Sequence, residues 1–242
     1  MTHAAPNDAD FDFDADFHER CLRHAAPQRI LEFMFGVFGR RIAAVSSFGA
    51  ESAVLLAMIA EIDPGAPVLF VDTGHLFPET LAYRDLLIAR LGLTGVQTIT
   101  AGQAEIERRD PGRALWAENA DACCALRKVE PLAGALAPFD AWINGRKRYH
   151  GFERARLPLF ERDGRRIKVN PLVNMTREDI EAAFAARGLP PHPLERHGYA
   201  SIGCMPCTSR VLPGESVRAG RWRGSPKHEC GIHTIIAGPR GL

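Results

Sequence analysis

The pattern that most restricts this chain is an alternation of short apolar runs and amphipathic stretches between residues 42 and 144. Residues 42–46, Ile-Ala-Ala-Val-Ser, are too few for a helix and apolar almost throughout, which reads as a strand buried on both faces. Val54, Leu55, Met58, Ile59 and Ile62 then recur at helical spacing. The unit repeats. Residues 67–71 read as a second buried strand, Pro78 opens a helix through Leu81, Leu86, Leu87 and Leu91, residues 95–100 give a third strand, and residues 141–144 a fourth after another helix. Such repetition predicts an α/β fold, a parallel twisted sheet with helices on both faces. Ligands of these sheets sit beyond the carboxyl ends of strands, where residues 46–52, 72–75 and 145–148 fall.

The flanks are simpler. Helical spacing starts at Phe17 and Leu22, and Pro27 opens a second helix carrying Ile30, Leu31, Met34, Phe35 and Phe38. Asp163-Gly164 marks a hairpin turn, and Thr176 caps a helix that ends near Gly188. Residues 1–16, where aspartate alternates with Phe and Ala, are too acidic to pack alone and are expected to form a disordered arm. Thirty basic and twenty-nine acidic residues nearly cancel, so no overall field draws the chain to nucleic acid or a membrane, and an anion site must be local. The start lacks a signal-peptide pattern and no stretch approaches the ~20 apolar residues of a membrane span, so a cytoplasmic protein is expected. The sequence leaves the oligomeric state open, a homo-oligomer included.

Six cysteines are unevenly spread. Cys204 and Cys207 form a CxxC pair, Cys123 and Cys124 are adjacent, Cys230 stands alone, and Cys21 is isolated. In a reducing compartment clustered thiols are more often metal ligands or catalysts than disulfides. The four paired ones suit an iron–sulfur or a zinc site and leave Cys230 free for chemistry. Neighbouring side chains on a helix diverge by about 100°, so Cys123 and Cys124 reach one centre only if the backbone adapts or the centre is large. A cubane offers four irons, whereas one zinc needs four sulfurs within about 2.3 Å of a single point. A buried cysteine pair with a separate zinc knuckle at residues 204–207 is the alternative. The loop Ser46-Ser47-Phe48-Gly49-Ala50-Glu51-Ser52 leads from a strand into a helix start, where free N–H groups favour an anion. No Gly-Lys-Ser/Thr follows, so it is not a Walker loop; ordinary helix capping is the competing reading.

Taken together, these residues resemble the assimilatory sulfonucleotide reductases. Five motifs carry the resemblance in order: Ser-Phe-Gly-Ala-Glu-Ser at 47–52, Val-Asp-Thr-Gly-His-Leu-Phe-Pro-Glu-Thr at 71–80, Cys123-Cys124 followed by Arg127-Lys128, Cys-Met-Pro-Cys at 204–207, and Glu-Cys-Gly-Ile-His at 229–233. The resemblance implies an adenine nucleotide α-hydrolase-like fold whose first loop is an altered pyrophosphatase-type loop. The four cysteines are similar to those of the branch that holds a 4Fe-4S cluster and reduces adenosine 5′-phosphosulfate (APS). The branch using the 3′-phosphorylated nucleotide (PAPS) generally lacks them.

The implied ligands are Cys123, Cys124, Cys204 and Cys207. Cys230 is the implied nucleophile, since a thiolate attacks an activated sulfonate sulfur readily, with His233 assisting the thiol or binding substrate. Lys128, one helical turn from Cys124, would link cluster and substrate. The expected substrate-binding residues are Ser46, Ser47, Gly49, Glu51 and Ser52, then Asp72, Thr73 and Gly74, and finally Arg154, Arg218 and Arg221, with Arg156 as the neighbouring choice to Arg154. Residues 150–152 and 222–226 depart from the usual pattern, the latter by shortening the C-terminal tether.

The implied reaction is reduction of APS to sulfite and AMP through an S-sulfocysteine, for cysteine biosynthesis, with thioredoxin or a glutaredoxin-like dithiol as partner. Cys230 must then meet both a buried nucleotide and a protein, so residues 213–242 are expected to be a mobile tail on an α/β domain of residues 17–212, with Gly220, Gly224 and Gly231 permitting the motion. The rivals are the same reaction on PAPS, an ATP-dependent tRNA sulfuration enzyme sharing the loop and a CxxC, and a zinc-stabilised binding module.

Overall fold

The computed structural model describes residues 13–234, so residues 1–12 of the acidic stretch lie outside it. Two helices lead in, α1 (Ala15–Leu22) and α2 (Pro27–Phe38). Asp14 caps α1 by accepting the Phe17 N–H at 2.9 Å, and Phe13 is buried against Phe38 and Phe160. The acidic stretch therefore packs from residue 13 onward, because burying an aromatic ring offsets the ordering of its polar neighbours.

The alternation then appears as β1 (Ile42–Ser46), α3 (Ser52–Ile62), β2 (Val68–Val71), α4 (Pro78–Leu91) and β3 (Val96–Ile99). Three short helices follow, α5 (Gln103–Arg109), α6 (Leu115–Glu118) and α7 (Ala120–Cys124), and α8 (Glu130–Ala135) leads into β4 (Ala141–Ile143). The predicted hairpin is β5 (Phe160–Asp163) and β6 (Arg166–Val169), and α9 (Arg177–Ala186) carries the expected Thr176 cap, which takes the Asp179 N–H at 3.1 Å.

The strands form one sheet in the order β3-β2-β1-β4-β6-β5, parallel except for β5 against β6. From β1 the chain builds outward to β3, then returns to the other side of β1 as β4. The strand order thus reverses between β1 and β4, and in open α/β sheets the crevice beyond this switch point is where ligands bind. Alternating side chains of β1 feed two apolar layers. Ile42 and Ala44 join α3, whose residues 53–59 are all buried; Ala43 and Val45 join Trp142, Leu132, Leu136 and Phe139. The Glu19 carboxylate accepts the N–H groups of Leu159 at 2.8 Å and Phe160 at 3.0 Å, which ties α1 to the start of β5.

One element differs from the expected continuous helix after the paired cysteines. Residues Ala125–Val129 form a π-helical turn between α7 and α8. The extra residue per turn shifts the facing of every side chain beyond it, including Arg127 and Lys128.

Candidate active site

The crevice at the switch point is a cavity of about 220 Å³ lined by the β1 loop, the loop after β4, residues 200–203 and the C-terminal segment. In the β1 loop the Phe48 ring is buried edge-on to Phe70 at 5.3 Å, and Phe48 takes a left-handed backbone angle of 47°. The Ser46 hydroxyl accepts the Phe48 N–H at 3.2 Å and the Gly49 carbonyl accepts the Ser52 N–H at 3.0 Å. Ser46, Ser47, Gly49, Glu51 and Ser52 all face the cavity.

Glu51 is used by the protein itself. Its carboxylate pairs with buried Lys147 at 2.7 Å and with His150 at 3.0 Å, and accepts the Tyr149 hydroxyl. Burial alone would raise the carboxyl pKa, but His150 and Lys147 outweigh it and hold Glu51 well below the usual range. These contacts fasten the loop after β4 to the loop after β1. In the loop after β2, Thr73 faces the cavity, whereas Asp72 shapes the turn by accepting the Gly74 N–H at 2.9 Å.

The paired cysteines meet on the neighbouring face. Cys123, Cys124 and Cys204 are buried, Cys207 is half-buried, and none forms a disulfide. Burial, then Cys124 and Cys204, push the Cys123 thiol up to about 11; burial and Cys204 raise Cys207. Burial would also raise Cys204, but Lys128, the Thr73 hydroxyl and Arg221 prevail and lower it. Thr73 Oγ1 and Cys204 Sγ share a hydrogen bond of 3.2 Å. Lys128 thus sits at Cys204 rather than chiefly at Cys124 and also lines the cavity, a consequence of the π turn. Burial opposes its charge, yet the nearby thiols raise its pKa.

Among the described residues no three His, Cys, Asp or Glu side chains are set to hold a single metal ion. The donor set is one that suits a thiolate-bound centre: Cys204 lies near enough to Cys123 and Cys207 to raise both, and Lys128 and Arg221 supply counter-charge to Cys204.

Sequence reasoning missed how this face is held. Arg127 and Asp110, each with a side chain 2 % exposed, form an ion pair at 2.6 Å, and Arg127 also donates to the Thr73 carbonyl at 2.9 Å. The adjacent Arg127-Lys128 was the only hint, and adjacency does not reveal burial. Gly203 was missed too. A Cβ there would lie 2.2 Å from Arg221 Nη2, so this glycine makes room for the guanidinium, which stacks on Trp222 at 4.5 Å.

The C-terminal segment closes the cavity. Cys230, His233, Arg154, Arg218 and Arg221 share its lining with Ser47 and Lys128, whereas Arg156 is exposed. His233 stacks on Trp142 with ring centroids 5.9 Å apart, and its carbonyl accepts from Lys168 at 2.8 Å. Its Nδ1 is buried without a hydrogen-bond partner, and burial followed by Arg146, Arg154 and Lys168 holds the ring well below the usual histidine pKa, hence neutral. Lys227 is turned away to Asp121 and Trp222. Gly220 serves close packing instead of a hinge, since a Cβ would meet the Ser209 carbonyl at 2.1 Å.

A mostly parallel sheet with a serine-rich loop and a cationic loop at its switch point defines an adenine nucleotide α-hydrolase-like fold. Residues 41–210 match the phosphoadenosine phosphosulfate reductase domain, and the chain belongs to that family of oxidoreductases acting on sulfur groups. It is 54 % identical over 211 residues to an adenosine 5′-phosphosulfate reductase of Mesorhizobium japonicum, covering 87 % of this chain and 83 % of that one. It is 42 % identical over 217 residues to a phosphoadenosine 5′-phosphosulfate reductase of Gloeobacter violaceus, covering 86 % and 88 %. Among solved structures, a phosphoadenylyl-sulfate reductase from Candida auris in complex with phosphate superposes with a TM-score of 0.68 at 28 % identity, over 81 % of this chain and 96 % of that one. No helix among the described residues is long and apolar enough to cross a membrane.

Proposed function

We propose that this protein reduces APS to sulfite and AMP in assimilatory sulfate reduction, using thioredoxin or a similar dithiol protein. The observation that carries the reading is that Cys230, a lone thiol, faces the same cavity as the β1 loop and the cations Lys128, Arg154, Arg218 and Arg221. The cations neutralise a phosphosulfate and polarise its sulfur. The Cys230 thiolate forms an S–S bond to that sulfur, the S–O bond to phosphate breaks, and AMP leaves with the electron pair. The thiol proton passes to solvent, and His233, kept neutral by burial and the surrounding cations, is placed to bind substrate instead of acting as the base. A partner thiolate then attacks the Cys230 sulfur and expels sulfite; the partner's second thiol resolves the mixed disulfide, so the dithiol supplies both electrons. The part of the expected tail that carries Cys230 between nucleotide and partner is the stretch after Trp222, since Gly220 is packed against Ser209; residues 235–242 lie outside the described residues.

Cys123, Cys124, Cys204 and Cys207 would hold a 4Fe-4S cluster. When bound, the cluster supplies a fixed local charge that orients Lys128. Because the Gloeobacter relative is named for the 3′-phosphorylated nucleotide, the same reaction on PAPS is the second reading. Sulfite formation from each nucleotide, with reduced thioredoxin under anaerobic conditions, separates them: kcat/KM should favour APS by at least about a hundredfold. A preference for PAPS overturns the first reading.

A further inference from the structure

Besides Glu51, which is fixed on Lys147 and His150, a second carboxylate in the cavity has the wrong sign for a site that receives an anion. Glu229 Oε1 lies 2.5 Å from Arg154 Nε, and its Oε2 lies 2.9 Å from Arg154 Nη2 and 3.3 Å from Arg218 Nη2. Both guanidiniums are nearly enclosed, with side-chain exposures of 11 % and 10 %. Burial, then the neighbouring Arg154, push Arg218 down to about 10, and the Glu229 carboxylate offsets part of this. A planar carboxylate answers the guanidinium fork in the same way as two oxygens of a sulfonate or phosphate.

We infer that Glu229 is a resident anion, seated on Arg154 and Arg218 in place of the substrate oxyanion and displaced when that oxyanion binds. This rests on the proposed nucleotide reading and deepens it. With Glu229 seated, Arg154 and Arg218 keep one net positive charge; with it displaced, they offer two to a doubly charged phosphosulfate. Glu229 is bonded to Cys230, so its release moves the thiol. The other end of the segment stays anchored, because Lys168 donates to the His233 carbonyl at 2.8 Å and the His233 ring stacks on Trp142. The three residues between these two anchors pivot, Cys230 among them. Glu229 is thus a positioning residue that links occupancy of the anion subsite to presentation of the thiol.

The test is calorimetric binding of adenosine and of AMP to the full chain and to Glu229→Gln. AMP is expected to bind the variant about tenfold tighter than wild type, as removal of a competing ion pair allows. Adenosine, which has no oxyanion, should bind both equally, and Glu229→Asp, which keeps the charge, should return AMP affinity toward wild type. In Arg154→Gln the Glu229→Gln change should no longer tighten AMP. Unchanged or weaker AMP binding in Glu229→Gln, or an equal change for adenosine, overturns the inference and leaves a structural ion pair. If wild type binds neither compound, the nucleotide reading itself fails and takes this inference with it.

Discussion

Two carboxylates line one cavity and are held in opposite ways. Glu51 follows β1, and its partners Lys147, Tyr149 and His150 all sit on the loop after β4, which the sheet fixes beside it. Glu229 belongs to the C-terminal segment, and its partners Arg154 and Arg218 come from the connection before β5 and from the segment itself. The first pair is part of the scaffold: breaking it separates two strand-end loops. The second can come apart while the sheet stays whole. A site that must bind an anion and then hand a thiol to a protein needs both kinds, one to fix geometry and one to give way.

The largest expected effect tests the tail. Cys230→Ser should lower sulfite formation by about a thousandfold or more, with nucleotide binding retained; activity close to wild type would remove the thiol from the chemistry. Next is the scaffold pair. Glu51→Gln leaves buried Lys147 without its counter-charge and should destabilise the fold by about 3 kcal/mol, whereas Glu229→Gln should cost less, because Arg154 and Arg218 can turn to solvent as the segment comes away while the sheet stays whole. Equal losses in urea unfolding would erase the distinction drawn between them.

The scaffold should also respond to acid through His192. Buried beside Thr80, with Nε2 at 3.2 Å from its hydroxyl, His192 has its pKa lowered by burial from 6.5 to about 4. The unfolded chain therefore takes up this proton first. Stability is full above about pH 6.5 and falls toward pH 4, by on the order of 2 kcal/mol. In His192→Gln that part of the pH dependence should vanish, and an unchanged slope would contradict the assignment. The smallest effect concerns aim. Gly203→Ala displaces the flexible end of Arg221, so kcat/KM should fall about tenfold while melting temperature changes little; a large loss of stability instead would mean that the backbone gives way.

Much of the scaffold was legible because its signals are local. Short apolar runs gave the strands, Pro27 and Pro78 opened helices where expected, and Thr176 capped α9. The convergence of the loops after β1, β2 and β4 followed from reading the sheet as parallel, which puts the carboxyl ends of its strands on one side. Residue type alone singled out Cys230, Arg218 and Arg221, which line one cavity in the fold. What escaped depends on distant partners. No spacing rule shows that the helix widens after Cys124, that Arg127 is buried on Asp110, or that Gly203 is small for the sake of Arg221. That Glu229 occupies two arginines also needed the fold.

The most direct test of the account is a single turnover of APS without reductant, followed by mass analysis of the peptide containing Cys230. The account predicts a sulfonate on Cys230, released as sulfite when reduced thioredoxin is added, and no such adduct in Cys230→Ser. Sulfite released without an adduct, or an adduct carried by another cysteine, would contradict it.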